Sequence, residues 1–311
     1  MIWNQYRLVE YHGTVKERRL DVRPGIVDNA ARMARRVKRV LVVTRMAARG
    51  EIERRQAERA REAHEEHLET LSAVRSALRR QGLAHEVVKA VERIDIRRFD
   101  LVLTVGGDGT VLYASHHVDS IPILGVRSSH HSAGYLTGAE RADVEAKLAR
   151  FAAGSLEATI VHRMSVHVGG RLRHDKVLNE ALFSHPNPAV TTRYVLKYGR
   201  WAEEQMSSGI WVGPAAGSTA AMRSAGGRVL APTSRDLQFV VREPIRRPGS
   251  RMRLEKGIVT PGRDLRIVNM LEHARLYLDG PHLQIPVGPG EVVRASLSGA
   301  PLAMLGWPSS G

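Results

Sequence analysis

The feature that most constrains this chain is an apolar run that ends in a glycine-rich loop. The run, Leu101–Val105, is followed directly by Gly106-Gly107-Asp108-Gly109-Thr110 and then by a segment that suits a helix. An apolar, β-branched run bounded in this way predicts a buried parallel strand. Because ligand sites of open α/β sheets lie where such strands end, the sequence predicts a site at this loop.

The composition of the loop indicates phosphate chemistry. Glycines let the backbone approach a ligand and tolerate positive φ, and amides at the start of the following helix favour a phosphate group. A carboxylate repels phosphate, so Asp108 indicates either a Mg²⁺ ligand or an acceptor for the proton of an attacking hydroxyl. The alternative is a tight turn in which Asp108 bonds its own backbone. For this pentapeptide directly after a hydrophobic strand, we favour the functional interpretation.

The first half of the chain alternates strands and helices, which predicts a parallel sheet. The predicted elements are strands at Lys38–Thr44, His85–Lys89 and Ile121–Val126, and helices at about Glu51–Arg80 and Arg141–Phe151. Leu68, Leu71, Val74 or Arg75, and Leu78 form the apolar stripe of the long helix, and Gly82 is placed to end it. His64 and His67 lie one turn apart on this helix. With no third ligand nearby, we expect them on a solvated charged face and not at a metal.

The second half has the pattern of an antiparallel β-rich domain. Ile160–Val168 alternates with period two, and Gly169-Gly170 predicts a hairpin turn. Glycine, proline and aspartate separate the further strands predicted there, which are Arg193–Lys197, Ile210–Val212, Gln238–Val241, Leu265–Val268 and Arg275–Leu278. The chain is expected to comprise a basic N-terminal extension at 1–36, an α/β domain at 37–155, a β-rich domain at 156–285, and a tail at 286–311 that returns to the N-terminal domain.

The charge of the chain needs an explanation. A length of 311 residues predicts about two domains, and the formal net charge is +15. Such a charge suits nucleic acid or polyanionic small substrates. The basic residues are spread along the whole chain, without an RNP-like pattern or zinc finger, so we do not expect nucleic acid as the main partner.

There is no cysteine, no apolar run of roughly 20 residues and no signal-peptide pattern, which together predict a cytoplasmic protein without a membrane partner.

Three further motifs follow the glycine loop. Gly134-Tyr135-Leu136-Thr137 offers an aromatic face for stacking. Asn179-Glu180 interrupts an apolar stretch, where a polar pair costs stability unless it meets a binding partner. The alternative is that the pair occupies a structural turn or an edge position. Gly213–Ala221 consists mostly of small residues that would let a ligand lie flat, with hydroxyls at Ser218 and Thr219.

Together these motifs resemble the NAD kinase family. Gly106–Thr110 is similar to its phosphate loop, Ser132–Leu136 to the loop after the next strand, and Asn179-Glu180 to its dinucleotide-contacting pair. Gly217-Ser218-Thr219-Ala220, with Ser224–Gly227, matches its substrate loop. The glycine loop alone is shared with lipid kinases and phosphofructokinases, so the other motifs select the family. The resemblance covers about residues 40–280.

The resemblance implies an α/β fold with an N-terminal Rossmann-like parallel-sheet domain, a C-terminal antiparallel β-rich domain that binds the substrate, and a site in the cleft between them. It implies an ATP-dependent NAD kinase that phosphorylates the adenosine 2′-hydroxyl of NAD to give NADP. Mg²⁺ would accompany ATP, with no metal held by the protein alone, and we expect a homodimer or larger homo-oligomer. Asp108 would be catalytic. The residues expected to hold phosphate and ATP are Gly106, Gly107, Gly109 and Thr110. Those expected to bind NAD are Tyr135, Leu136, Asn179, Glu180, Ser208, Thr219, Ala220 and Ser224.

This chain departs from common bacterial members of that family. They carry Asp-Gly where Ser208-Gly209 stands here, threonine at Pro214 and Ala216, and tyrosine at Ala221. Ser207-Ser208-Gly209 resembles the mitochondrial type of NAD kinase. Two competing hypotheses remain, a lipid kinase with the same loop and a non-catalytic dinucleotide sensor on the same fold. The choices between ATP and polyphosphate and between NAD and NADH stay open at this point.

Overall fold

A computed structural model describes residues 39–44, 54–89, 91, 94–246 and 252–307. The basic extension expected at 1–36 lies outside these residues. The described chain forms two compact units. The α/β unit comprises the described residues up to 162 together with 231–233 and 300–307, and the β unit comprises 163–230 and the described residues of 234–299.

The α/β unit is built on a mostly parallel seven-stranded sheet. Its order is β2-β1-β3-β4-β19-β6, with β5 beside β4. The strands are β1 (Arg39–Thr44), β2 (Ala84–Val88), β3 (Leu101–Gly106), β4 (Ile123–Arg127), β5 (Ala139–Glu140), β6 (Ala158–Val161) and β19 (Leu302–Leu305). Only the pairing of β19 with β6 is antiparallel among the pairs of this sheet in the described residues. The predicted parallel sheet is confirmed.

In the described residues of this unit, three helices connect the strands. They are α1 (Arg54–Arg80), α2 (Asp108–Ser115) and α3 (Val144–Ala152), with a short 3₁₀ turn at Ile96–Arg98. Val74 and Leu78 of α1 are fully buried, as the predicted stripe requires, and Gly82 (φ +65°) ends the helix. The stripe is wrong at Leu68, which is half exposed, because His67 and Thr70 take the inward positions of that turn. None of the helices in the described ranges is both long enough and apolar enough to span a membrane.

The β unit contains two six-stranded antiparallel sheets. The first has the order β11-β10-β15-β18-β7-β8, and the second β14-β13-β12-β9-β16-β17. The strands of the first are β7 (Met164–Val168), β8 (Arg171–Val177), β10 (Thr192–Tyr198), β11 (Trp201–Ser207), β15 (Asp264–Asn269) and β18 (Val292–Leu297). Those of the second are β9 (Ala181–Ser184), β12 (Gly209–Pro214), β13 (Leu237–Arg242), β14 (Lys256–Val259), β16 (Ala274–Leu278) and β17 (Leu283–Val287). Buried side chains of both sheets form one core, and a 3₁₀ turn (Ala215–Thr219) and α4 (Ala221–Ser224) follow β12.

The single strand predicted at Ile160–Val168 is wrong. The chain forms β6, leaves that sheet at His162-Arg163, and begins β7 in the other unit. Arg163 is fully buried at this break. The buried positions change phase at the break, from Thr159 and Val161 in β6 to Met164, Val166 and Val168 in β7. The sequence alternation from Ile160 to Val168 did not show where one sheet ends and the other begins. The predicted hairpin is confirmed: Gly169 (φ +57°) and Gly170 (φ +79°) join β7 to β8.

Candidate active site

The glycine loop packs too tightly for larger residues. An ideal Cβ on Gly106 would lie 2.1 Å from Thr110 Oγ1, and one on Gly107 would lie 2.2 Å from Ser132 Oγ. Gly107 is the residue that precedes α2, and its carbonyl accepts hydrogen bonds from the Thr110 and Val111 amides. None of the loop's three glycines has a positive φ. The tolerance of glycine for left-handed backbone is therefore not used in this loop, and close packing inside the protein explains the first two glycines.

Asp108 is the first residue of α2, and its carboxylate is fixed by another loop. Its Oδ1 accepts the Leu136 amide at 2.8 Å, and its Oδ2 accepts the Tyr135 amide at 3.1 Å. The tight-turn alternative, in which Asp108 bonds its own backbone, is therefore wrong. Each carboxylate oxygen keeps lone-pair capacity beyond its one amide. The side chain is thus an oriented acceptor at the first turn of a helix, where an anion is favoured.

The loop after β4 is tied to α1 through His67. The His67 ring bonds Thr44 Oγ1 at 2.8 Å and Ser128 Oγ at 3.1 Å, and the Ser128 amide donates to the Gly106 carbonyl at 3.0 Å. The solvated position expected for His67 is wrong, because the ring is buried and joins the ends of β1 and β4. His64 is exposed, as expected.

The same loop presents one aromatic side chain. The Tyr135 side chain is exposed, whereas Leu136 is buried and contributes its amide to Asp108. The indole Nε1 of Trp307 donates to the Tyr135 carbonyl at 2.6 Å. The α/β unit thus brings together Gly106–Thr110, Tyr135 and Leu136 from the predicted site residues.

In the β unit, the Asn179-Glu180 turn wraps around the carboxylate of Asp279. The amides of Leu178, Asn179 and Glu180 donate to it at 2.8, 2.6 and 3.0 Å, and the Asp279 amide donates back to the Glu180 carbonyl at 2.9 Å. Asp279 has φ +50°, a conformation that aspartate tolerates better than most residues. The turn therefore has a fixed backbone geometry.

Glu180 is a buried carboxyl with unused bonding capacity. Its side chain is 7% exposed, and Oε2 has no hydrogen-bond partner within the described residues. Burial and the charge of Asp279 raise the pKa of Glu180 to about 7, although a hydrogen bond from Asn179 opposes the shift. Burial also raises the pKa of Asp279 to about 6, against its three amide bonds and the positive charge of Arg163.

In the segment Gly213–Ala221, which we call the small-residue loop, two glycines leave room for this turn. An ideal Cβ would lie 1.7 Å from the Asn179 carbonyl oxygen at Gly217 and 2.4 Å from it at Gly213. The Ser218 hydroxyl is fully buried and accepts the Leu230 amide at 3.0 Å, so it is not the ligand-facing hydroxyl we expected. Packing within the protein therefore explains in part why the side chains of this loop are small.

The remaining predicted residues precede or follow β12. The Asn179-Glu180 turn meets the Gly213 end of that strand, and Ser208 stands at its other end. Ser208 is half buried before Gly209 (φ +116°), where β12 begins. Thr219 and Ala220 are half buried after the 3₁₀ turn, and Ser224 is exposed at the end of α4. Of the positions that depart from common bacterial members, Pro214 and Ala216 are buried and Ala221 is half buried.

Sequence reasoning missed three residues that hold these parts in place, Asp279, Arg163 and Trp307. Asp279 had a signal: Leu278-Asp279-Gly280 repeats the strand, acid and glycine order of the loop at Asp108. Arg163 had none, because an arginine within an alternating strand is ordinarily placed on the solvent face. Trp307 lies 172 residues from its partner Tyr135, so no local pattern could pair them.

Comparison with known proteins agrees with this architecture. Residues 15–156 match the family model for the ATP-NAD kinase N-terminal domain. The chain is 34% identical over 260 residues to a probable NADH kinase of Oryza sativa subsp. japonica, covering 76% of this chain and 80% of that protein. It is 36% identical over 240 residues to an NADH kinase of Arabidopsis thaliana, covering 67% and 72%.

A solved structure shares the fold. The crystal structure of an NAD kinase from Archaeoglobus fulgidus in complex with ATP superposes with a TM-score of 0.65 at 22% identity, covering 86% of this chain and 92% of that one. The expected combination of a parallel-sheet domain and an antiparallel β-rich domain is confirmed. Together with the site motifs, these similarities identify a phosphotransferase: the chain belongs to the NAD kinase family.

Proposed function

We propose that this enzyme transfers the terminal phosphoryl group of ATP to the 2′-hydroxyl of the adenosine ribose of NAD or NADH. The observation that carries the proposal is the Asp108 carboxylate, which follows the glycine pair and is oriented by the amides of Tyr135 and Leu136. A fixed carboxylate at the N-terminal turn of a helix combines an acceptor for a hydroxyl proton with a place for phosphate.

Asp108 would act on the substrate hydroxyl. As that oxygen attacks phosphorus, its proton becomes acidic, and a carboxylate oxygen within hydrogen-bond reach accepts or orients it. The two amides hold the carboxylate in one orientation, which reduces the reorganisation needed in the transition state. The phosphates would lie on the backbone of Gly106, Gly107, Gly109 and Thr110.

The residues present fit a magnesium ion that arrives with ATP. In the ranges the structure describes, no three histidine or acidic side chains cluster as a metal site, while Asp108 offers one carboxylate beside the phosphate loop. Mg²⁺ ordinarily keeps several waters and binds phosphates plus one or two carboxylates. When bound, it would neutralise charge on the donor's phosphates, with Asp108 as its candidate protein ligand.

The Asn179-Glu180 turn would bind the dinucleotide. Glu180 Oε2 is buried without a partner in the described chain, so a ribose hydroxyl or an amino group donating to it would relieve a polar penalty. The exposed ring of Tyr135 offers a stacking surface for a base. Ser208, Thr219, Ala220 and Ser224 are the further candidates for contacts, with Leu136 contributing through its backbone.

The test is a product assay with purified protein, Mg-ATP, and NAD or NADH in separate reactions. A dehydrogenase specific for NADP(H) detects the product, and polyphosphate replaces ATP in a parallel set. The names of the two plant relatives make NADH the substrate to compare first with NAD. Formation of NADP or NADPH supports the proposal. Phosphorylation of diacylglycerol in micelles without either product would indicate the lipid kinase, and NAD binding without turnover would indicate a sensor.

A further inference from the structure

We infer that Trp307 is a positioning residue for Asp108, acting through the peptide that joins Tyr135 to Leu136. The inference rests on the proposed function, because it concerns the carboxylate that the proposal makes catalytic. Trp307 lies outside every motif that indicated the site, and it follows the last strand of the described chain.

A single peptide unit carries the connection. The Trp307 indole N–H donates to the Tyr135 carbonyl oxygen at 2.6 Å, and the Leu136 amide donates to Asp108 Oδ1 at 2.8 Å. This carbonyl and this amide belong to the same planar peptide group. A rotation of that plane would therefore disturb both hydrogen bonds together. Donation to the carbonyl also polarises the amide on the other side, which strengthens its bond to the carboxylate.

Trp307 is itself attached to the rigid part of the unit. Its carbonyl accepts the Thr159 hydroxyl at 2.9 Å, and the Gly306 amide donates to the Glu157 carbonyl at 3.1 Å. The preceding strand β19 lies between β4 and β6 in the sheet. An ideal Cβ on Gly138 would lie 2.2 Å from the Leu305 carbonyl, so the tail packs directly on the end of the 128–138 loop.

The loop has other attachments that do not involve Trp307. The Thr137 hydroxyl donates to the Gly134 carbonyl at 2.8 Å, and the Gly138 amide donates to the Gly125 carbonyl at 2.9 Å. Removing the indole donor should therefore leave the loop folded and loosen the orientation of one peptide. The expected effect falls on the chemical step, since Asp108 is proposed to react and not to bind NAD.

The test is Trp307→Phe, which keeps an aromatic ring and removes the N–H. We expect kcat to fall about three- to tenfold, the usual effect of one lost hydrogen bond, while KM for NAD or NADH changes less than about twofold. Trp201→Phe is the matched control, because Trp201 is an exposed tryptophan of the β unit that stacks under the Arg253 guanidinium at 4.2 Å. The control should leave both parameters at the wild-type values.

Two further measurements separate positioning from general stability. Hydrogen exchange should show faster deuterium uptake in a peptide containing 134–137 in Trp307→Phe, and wild-type uptake in β1 and β3. A double-mutant cycle with Asp108→Asn should be non-additive, because the tryptophan has nothing to orient once the carboxylate is gone. Equal rate losses from Trp307→Phe in both backgrounds, or an unchanged kcat in the single variant, would overturn the inference.

The two proposals fail in different ways. If Asp108→Asn keeps the wild-type rate, the proposed role of Asp108 fails, and the inference about Trp307 fails with it. If Asp108→Asn is inactive while Trp307→Phe matches wild type in kcat and in exchange at 134–137, only the inference fails. A higher KM with unchanged kcat in Trp307→Phe would also contradict it, because that result assigns the tail to binding.

Discussion

At the residue scale, the two carboxylates proposed to meet substrate are held in opposite ways. Asp108 accepts a backbone amide on each oxygen. Glu180 is buried, and its Oε2 has no partner in the described chain. The first arrangement holds a hydrogen-bond acceptor in one orientation, and the second leaves a polar atom that a ligand would satisfy. The proposed roles, chemistry for Asp108 and binding for Glu180, follow from this difference.

Replacement of Asp108 tests the first role. Asp108→Asn keeps the shape of the side chain but removes the proton acceptor, so we expect kcat to fall by about 10²–10⁴-fold. One of the two amide bonds is lost, because the new NH₂ group cannot accept it, but the fold and NAD affinity should be retained. Steady-state rates and an NAD titration measure this, with Asp264→Asn as a control in the β unit. A rate above about a tenth of wild type would remove Asp108 from the mechanism.

The environment of Glu180 predicts a pH-dependent stability. Its pKa is raised from 4.5 to about 7 in the folded protein, so native Glu180 retains a proton that the unfolded chain has released over that range. Its contribution is therefore fully present below about pH 4.5 and is lost as pH rises through 7.

Glu180→Gln removes this titration. We expect the free energy of unfolding of the variant, relative to wild type, to increase by about 1–3 kcal/mol between pH 5 and pH 8. Urea unfolding at the two pH values measures it, and Glu204→Gln is the control at an exposed position of β11. A difference that stays constant or decreases with pH would contradict the raised pKa.

The sequence motifs contain the residues proposed for the site but not the residues that support them. Asp108 and Asn179-Glu180 stand in local motifs, where spacing alone indicates a function. Asp279 holds the Glu180 turn from about 100 residues away, and Trp307 bonds Tyr135 from 172 residues away. Contacts at such separations depend on how the sheets assemble, and no periodicity in one sequence records that assembly.

At the scale of elements, strands and helices followed their patterns, and errors arose where an element changes environment. The strand predicted at Ile160–Val168 is divided into two strands at Arg163, and the buried face of α1 includes His67. In both cases a polar side chain is buried where its partner comes from another element. The small-residue loop is a third example, because its glycines accommodate the neighbouring turn at Asn179.

Gly217→Ala tests that contact. The added Cβ would lie 1.7 Å from the Asn179 carbonyl oxygen, so the turn or the loop must move. We expect a destabilisation of about 1–3 kcal/mol from overpacking and a higher KM for NAD with a smaller change in kcat. Urea unfolding and steady-state kinetics measure these effects. Gly299→Ala is the matched control, because its Cβ would meet nothing within 4 Å; equal behaviour of the two variants would refute the packing argument.

At the scale of the whole molecule, the end of the chain completes a sheet formed by its beginning. Strand β19 pairs with β4 and β6, and Leu305 belongs to the core of the α/β unit together with Leu103 and Leu124. We expect Leu305→Ala to cost about 2–5 kcal/mol of stability, measured by urea unfolding. Met270→Ala, at a half-exposed position, should change stability by no more than about 0.5 kcal/mol. If Leu305→Ala lost no more stability than Met270→Ala, the contribution of β19 to the core would be contradicted.

The position of β19 also has a consequence for synthesis of the protein. A ribosome that has just finished β4 soon adds the short β5, which pairs with Val126 and Arg127. It must add the chain up to Leu302 before β19, which pairs with Ile123, exists. At about 5–20 residues per second this interval lasts roughly ten seconds or more. During this interval the part of the β4 edge around Ile123 is open to pairing with other chains, a recognised route to aggregation. A nascent chain therefore carries Asp108 and its glycine loop long before Trp307 is added. A product that terminates between Thr110 and Trp307 keeps the motif but lacks the residue proposed to position it.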